Sequence, residues 1–183
     1  MFDKAGAQHT DEALEIAINT ARKHGISHLV VAGTKGDTAR KALTAVRETG
    51  LKLVVVTHST GFGKDGVQEF DPELREEIES AGHRVYTGVH VLRGLGKAVK
   101  NRVGWSEEEL VAHTLRIFCQ GVKVCVEMAA MAADAGMVPC PGDIVAVAGT
   151  GRGADTVAVI ATAPSHKFFD IKVRSIVAKP FDF

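Results

Sequence analysis

The chain has 183 residues, of which 45% are hydrophobic, and this is enough for one domain with a full core. Its formal net charge is zero, so the composition indicates neither a nucleic acid nor a membrane surface as a partner. No apolar run reaches the roughly 20 residues that span a bilayer, the first residues do not resemble a signal peptide, and the cysteines form no CxxC pair, so we expect reduced thiols in a cytoplasmic protein.

The first half of the chain alternates between helix and strand patterns. Leu14, Ala17 and Ala21 recur at helical spacing and predict a helix over Thr10–His24. Glycine and proline boundaries then predict strand His28–Ala32, helix Thr38–Thr49, strand Lys52–His58, a helix from Asp71 to about Gly82, and strand His83–Thr87. The apolar centre of the second strand is typical of a parallel strand that is covered on both faces.

The second half begins with an ambiguous link, Gly88–Gly104, which we interpret as short helical or irregular. Ser106 and Glu109 then form a capping box, and the helical pattern continues to about Ala135 with a break near Gln120. Three more strands are predicted over Asp143–Ala148, Asp155–Thr162 and Ile171–Ala178.

The order of these elements predicts a single α/β domain over residues 1–183. We expect three layers, with a mostly parallel sheet between helices on both faces and one or two antiparallel C-terminal strands. In such sheets ligands bind outside the carboxyl ends of the strands, where the strand order reverses. The residues that follow each strand are therefore the candidates for a site.

The loop after the first strand predicts a phosphate site. A glycine-rich turn before a helix leaves backbone N–H groups unpaired at the positive end of the helix dipole. Hydroxyl and ammonium groups add donors, and the candidate residues are Gly33, Thr34, Lys35, Gly36, Asp37 and Thr38. The alternative is an ordinary turn capped by Asp37 or Thr38, and the Asp37 carboxylate would repel an anion unless it points away.

The loop after the second strand contains small polar residues, two glycines and one aromatic ring. The candidates are Thr57, His58, Gly61 and Phe62. Phe62 could lie against a planar ligand ring, and His58 could donate a hydrogen bond or move a proton. The alternative is a mobile loop in which Phe62 packs back on the core.

The loop after the fourth strand fits the GxGxxA pattern of dinucleotide sites, but a strand and not a helix follows it, so we reject that interpretation. A glycine-rich crossover that presents N–H groups and Arg152 to an anion is more plausible. The candidates are Thr150, Gly151, Arg152, Gly153, Ala154, Asp155 and Thr156. A flexible hairpin is the alternative.

No other motif indicates chemistry. The eight histidines are scattered and form no HExxH pattern or His/Cys cluster, so we predict no metal site. No nucleophile motif is present, so the catalytic residues are unknown. His166, in the last connection, could reach a ligand, but a surface histidine is the simpler interpretation.

Four segments together resemble the stand-alone family of archaea and bacteria related to the C-terminal (alpha/beta) domain of pyruvate kinase. They are residues 30–39, 56–62, 124–136 and 142–156, and the resemblance covers nearly the whole chain. It implies that the first and fourth strands are neighbours, so that the loops Gly33–Thr38 and Gly149–Thr156 face each other across one crevice. In pyruvate kinase the first loop holds a phosphate of a sugar-bisphosphate regulator. Lys35, Gly36 and Asp37 depart from that loop's pattern, so the regulator does not carry over.

The resemblance also implies a ligand. The stand-alone family is associated with flavin mononucleotide (FMN), its reaction is undefined, and pyruvate kinase catalysis belongs to a barrel of about 250 residues that this chain has no room for. Three aromatic residues are candidates for stacking on the flavin ring: Phe62, Trp105 and Phe168. If the chain is an enzyme, we expect a flavin-dependent oxidoreductase.

Two other functions stay open. The first is a regulatory module that senses a phosphorylated metabolite without chemistry, and the second is an interaction domain whose glycine loops are empty. The apolar stretch Val122–Ala133 and the packing of the related domain favour a homo-oligomer.

Overall fold

The computed structural model of the chain describes residues 1–183. Its strands are β1 (Phe2–Lys4), β2 (His28–Gly33), β3 (Lys52–Thr57), β4 (Arg84–Tyr86), β5 (Asp143–Ala148), β6 (Thr156–Ala161), β7 (Lys172–Ala178) and β8 (Pro180–Asp182). Its helices are α1 (Thr10–His24), α2 (Asp37–Val46), α3 (Pro72–Ser80), α4 (Gly94–Val103), α5 (Glu107–Arg116) and α6 (Gln120–Asp134). Short 3-10 helices occur at Ala7–His9 and Ser165–Asp170.

The main sheet has six strands in the order β4-β3-β2-β5-β6-β7. Strands β2, β3, β4 and β5 are parallel, β6 is antiparallel to β5, and β7 is antiparallel to β6. The predicted α/β fold with a mostly parallel sheet and antiparallel C-terminal strands is therefore confirmed. Because β2 pairs with β3 on one side and β5 on the other, the strand order reverses at β2.

Helices cover both faces of the sheet and complete three layers. Apolar side chains of α1, α2 and α3 pack on one face, and those of α6 pack on the other. Neighbouring residues of β2 alternate between the two cores, because Val30 faces α6 whereas Leu29 and Val31 face the opposite layer. The expectation that β3 is covered on both faces is confirmed in the same way, by Leu53 and Val54.

The ambiguous link contains a regular helix, α4, which forms a hairpin with α5 on the outside of α6. Two strands were missed, since β1 and β8 have three residues each and pair only with one another. Helix α2 ends at Val46, before the predicted Thr49. No helix is long and apolar enough to cross a membrane.

The apolar stretch Val122–Ala133 lies in the interior of the folded domain. Its side chains are mostly buried between α6 and the sheet, so the hydrophobicity of this stretch needs no second subunit to explain it. All three cysteines are free; Cys119 and Cys125 are buried, as expected of core thiols, and Cys140 is exposed. Burial raises the pKa of the Cys125 thiol well above its usual value, which makes it a poor nucleophile.

Candidate functional site

A crevice opens at the carboxyl ends of β2, β3 and β5, where the strand order reverses. It has two arms, which share the lining residues Ala32, Thr34, His58, Gln120 and Val124. The loop arm, of about 350 Å³, lies between the loop after β2 and the loop after β5. The α4–α5 arm, of about 380 Å³, lies under the helical hairpin and over α6.

The loop after β2 builds the anion-binding end of the loop arm. Gly36 has a φ of 119°, and a Cβ atom there would lie 2.6 Å from Cδ2 of Leu74, so only glycine fits. Helix α2 begins at the next residue with no side-chain cap, and the N–H groups of Asp37, Thr38 and Ala39 donate to no protein acceptor. Three backbone donors at a helix N-terminus thus remain available to an anion.

Side chains add to these donors. Thr34, Lys35 and Thr38 all line the loop arm, and their polar atoms have no hydrogen-bond or ion-pair partner within the chain. The Lys35 ammonium is the one cation of this arm without a carboxylate partner. An anionic group bound here would therefore gain hydroxyl, ammonium and backbone N–H donors together.

Asp37 and Arg152 join the two loops across the arm. Nη2 of Arg152 lies 2.9 Å from Oδ2 of Asp37, and both side chains are largely exposed. The expectation that the two loops face each other is met by this contact. The Asp37 carboxylate, a potential obstacle to an anion, has its charge balanced by Arg152.

The rest of the loop after β5 serves mainly to hold its own shape. Asp155 is fully buried and accepts hydrogen bonds from the N–H groups of Gly6 and Thr150 and from the hydroxyl of Thr156. Gly151 and Gly153 line the loop arm together with Arg152. Ala154, Asp155 and Thr156 are buried. None of these three residues lines the loop arm, and neither does Thr150.

An aromatic cluster stands where the two arms meet. The rings of His58 and Phe62 stack with their centroids 3.8 Å apart, and the guanidinium carbon of Arg93 lies 3.8 Å from the Phe62 centroid. Two groups cannot share one face at that distance, so His58 and Arg93 cover the two faces of Phe62. Of the predicted residues nearby, Thr57 is buried against Thr87, and Gly61 lies outside the lining.

Trp105 and Phe168, the other two ring candidates, are not part of either arm, and neither is His166. Trp105 is exposed beyond the end of α4, and Phe168 packs against the α6 side of the core. Phe62 is therefore the one aromatic residue, among the three candidates, that reaches the crevice.

The floor of the α4–α5 arm holds a buried charged cluster that the sequence analysis did not identify. Nζ of Lys123 lies 2.6 Å from Oε2 of Glu127, and both side chains are less than a tenth exposed. Oε1 of Glu127 accepts the N–H of Leu92 at 2.9 Å. Nδ1 of His90 lies 3.8 Å from the same carboxylate, while Nε2 is 3.2 Å from the carbonyl oxygen of Thr57.

Burial lowers the pKa of His90, although Glu127 acts in the opposite direction. The neutral ring can donate one N–H to the carbonyl of Thr57, which leaves Nδ1 as an acceptor facing the cluster. One signal for the cluster was present in the sequence, since Lys123 and Glu127 are four residues apart within an otherwise apolar helix.

The wall of this arm is basic. Five basic side chains line it, against two carboxylates, Glu109 and Glu127, and the five are Arg93, Lys97, Lys100, Arg116 and Lys123. Arg93, Lys97 and Lys100 recur at helical spacing, a pattern that predicts a basic helix face once the helix itself is recognised. Because the link was interpreted only as short helical or irregular, this signal was missed.

Comparison with known proteins gives one family and several structures. The profile of a family described as "Pyruvate kinase, alpha/beta domain" matches residues 11–160, which include both loops of the crevice. A pyruvate kinase from Cryptosporidium parvum is similar over 84% of this chain, with 12% identity and a TM-score of 0.44. Cryptosporidium parvum pyruvate kinase in complex with ADP has the same coverage and identity, with a TM-score of 0.45. This chain spans 23% and 24% of the length of those two chains.

Proposed function

This chain belongs to the pyruvate kinase alpha/beta domain family, and from that membership and the form of the crevice we propose that it binds flavin mononucleotide. The phosphate lies in the loop arm, and the isoalloxazine ring extends past His58 into the α4–α5 arm. When bound, FMN supplies electron transfer, and the residues of this chain bind and orient it. Any reaction of the complex is undefined.

The observation that carries this proposal is the set of unused donors in the loop arm. The N–H groups of residues 37–39, the ammonium of Lys35 and the hydroxyls of Thr34 and Thr38 all lack partners within the chain. A phosphate monoester has enough acceptor oxygens for all these kinds of donor. The balanced pair Asp37–Arg152 leaves the arm with the net positive charge of Lys35.

The α4–α5 arm fits the ring of a flavin. Beside the charged cluster of the floor, its lining includes an apolar set that can pack against the ring: Val56, Leu92, Val124, Met128 and Met131. Because His58 and Arg93 already cover Phe62, a flavin that stacks on Phe62 must displace one of them.

The covered faces of Phe62 also favour a second candidate function. A phosphorylated metabolite without an aromatic ring needs no free stacking face, and it would use the same donors of the loop arm. In that case the chain is a sensing or regulatory module without chemistry. Stabilisation by sugar phosphates in a thermal-shift screen, with none by FMN, would favour this second function.

We also propose that the chain has no pyruvate kinase activity and acts in the cytoplasm. Residues 1–183 form an alpha/beta unit, whereas pyruvate kinase catalysis belongs to a barrel of about 250 residues. The free cysteines fit a reducing compartment. A coupled assay with phosphoenolpyruvate and ADP should show no turnover.

The double variant Lys35→Ala/Thr38→Ala tests the phosphate position. We expect FMN affinity to fall by about a hundredfold, because one charge-assisted and one neutral hydrogen bond to the phosphate are lost. Flavin fluorescence on titration measures this directly. The thermal midpoint should change little, since neither side chain makes a polar contact within the chain.

The matched control is Lys41→Ala/Thr44→Ala. These residues have the same types and lie on α2, the helix that contains Thr38, but outside both arms. The control should bind FMN as the unmodified protein does. Equal affinity in the test variant and the control would remove the phosphate from the loop arm.

A further inference from the structure

The basic wall of the α4–α5 arm contains more positive charge than the chain itself balances. Lys100 is paired with Glu109, and Lys123 is paired with Glu127. Lys97 and Arg116 have no carboxylate within ion-pair distance, although the whole chain contains as many acidic as basic residues. The excess is therefore local to this arm.

The two unpaired cations are presented by different helices of the hairpin. Lys97 belongs to α4, and Arg116 is the last residue of α5. Nε of Arg116 donates to Oε1 of Gln120 at 2.7 Å, which fixes the guanidinium plane and leaves the two terminal amino groups without acceptors. Such a fixed fork is the geometry that binds a carboxylate or phosphate through two hydrogen bonds.

The hairpin holds these cations over a defined floor. Gly96 is buried, and the Glu108 carboxylate of α5 lies where a Cβ atom at this position would project, so α4 and α5 are in contact here. Ser106 caps α5 through the N–H of Glu109. Below them lie the buried Lys123–Glu127 pair and the neutral ring of His90.

We propose that the α4–α5 arm is a second anion subsite, which recognises a carboxylate or phosphate group through Lys97 and Arg116. The crevice then receives two separate anionic groups, one in each arm. Its substrate class is a small carboxylate or phosphate compound that binds beside the group held in the loop arm. Arg93 and Lys100 contribute to the positive field of the subsite but are already engaged with Phe62 and Glu109.

This inference rests on the proposed function for both arms: the FMN phosphate occupies the loop arm, and the isoalloxazine ring in the α4–α5 arm leaves Lys97 and Arg116 for a second anionic group. FMN has one phosphate, and the loop arm accounts for it, so the cations of the other arm are left for a second group. If FMN does not bind at all, the charge and geometry of the second subsite are unchanged. The two proposals can therefore fail separately.

The probe is inorganic phosphate, and its binding is measured by NMR chemical-shift changes in the full chain labelled with ¹⁵N. We expect two independent sets of saturating shifts, one at residues 34–39 and one that includes Nε–Hε of Arg116. In Lys97→Gln/Arg116→Gln the second set should weaken by about tenfold or more while the first is kept. In Lys35→Ala/Thr38→Ala the reverse should hold.

The matched control for charge is Lys64→Gln/Arg102→Gln. These side chains are exposed, make no ion pair, and lie outside both arms, and Arg102 is on the same helix as Lys97. The control should keep both sets of shifts. Lys97→Gln alone, at an exposed position that folding does not need, should weaken the second set in the same direction.

Shifts confined to the loop arm, or equal phosphate affinity in the arm variants and the control, would overturn the second subsite. FMN titration of the same samples separates the two proposals. If the unmodified protein binds FMN normally but shows no phosphate shifts in the α4–α5 arm, this inference alone is rejected. The absence of FMN binding with two phosphate sites present rejects the flavin alone.

Discussion

Two residues of α6, Lys123 and Glu127, form the floor of the α4–α5 arm and affect the free energy of folding. The Lys123 and Glu127 charges are removed from water by the apolar core on one side and by the α4–α5 hairpin on the other. Buried ion pairs seldom stabilise a fold more than apolar residues of similar volume would, so their presence at a cavity floor indicates a functional role. The pair is nonetheless essential to the fold once it is present.

Glu127→Gln should lower the free energy of unfolding by about 3–5 kcal/mol, because it leaves the Lys123 charge buried without a partner. Chemical denaturation measures this loss. The double variant Lys123→Met/Glu127→Gln should recover much of it, since no buried charge is left. Asp11→Asn, which breaks the exposed pair with Lys41, serves as the control and should cost within about 1 kcal/mol. A loss of that small size for Glu127→Gln would contradict the burial of the pair.

At the scale of elements, the positions of the loops follow from the strands that precede them. The alternating βα pattern was enough to predict the mostly parallel sheet with its strand carboxyl ends at one edge. The position of the reversal point and the two facing loops followed from the resemblance to the pyruvate kinase domain family. The α4–α5 hairpin was not predicted, because three glycines, Gly94, Gly96 and Gly104, weaken the helical pattern of α4. In the structure these glycines allow close packing and end the helix. The α4–α5 arm of the crevice therefore could not be predicted from the sequence.

The contacts within the aromatic cluster were also beyond the sequence. Phe62 lines the crevice, but its two covered faces depend on Arg93, which comes from a segment interpreted as short helical or irregular. Similarly, Asp155 and Thr156 carried the same glycine-loop signal as Arg152, yet they are buried and hold the loop in place. A motif shows which residues are near a site, and burial decides which of them face it.

Gly36→Ala tests how the loop starts α2. The positive φ alone should cost roughly 1–2 kcal/mol of unfolding free energy, and the clash with Leu74 should add about 1–3 kcal/mol. Gly50→Ala is the matched control, because Gly50 has a φ of 74° but open space around it. In a Leu74→Ala background the cost of Gly36→Ala should fall to that of Gly50→Ala. Equal costs in both backgrounds would exclude the packing explanation.

For the whole molecule, five of the ten large apolar side chains that are more than half exposed belong to the α4–α5 hairpin and its ends. Large apolar side chains that are more than half exposed here are Leu95, Val103, Trp105, Leu110 and Ile117. This surface replaces Val122–Ala133 as the reason to expect a homo-oligomer, because that stretch is buried within the chain.

Light scattering at micromolar concentration tests this expectation. We expect a mass above the 19.4 kDa of one chain, and we expect Leu110→Glu/Ile117→Glu to reduce it to that value. The control is Arg22→Glu/Lys23→Glu, which places two glutamates on the surface of α1. It should leave the mass unchanged. A monomer in the unmodified protein would remove the expectation of an oligomer.

The most direct test of the flavin assignment is the visible absorption spectrum of the freshly purified protein, followed by titration with FMN. The crevice geometry predicts either a flavin band in the purified protein or saturable binding at one FMN per chain. A colourless protein that does not bind FMN on titration would contradict the flavin assignment and leave the loop arm as the site of another phosphorylated compound.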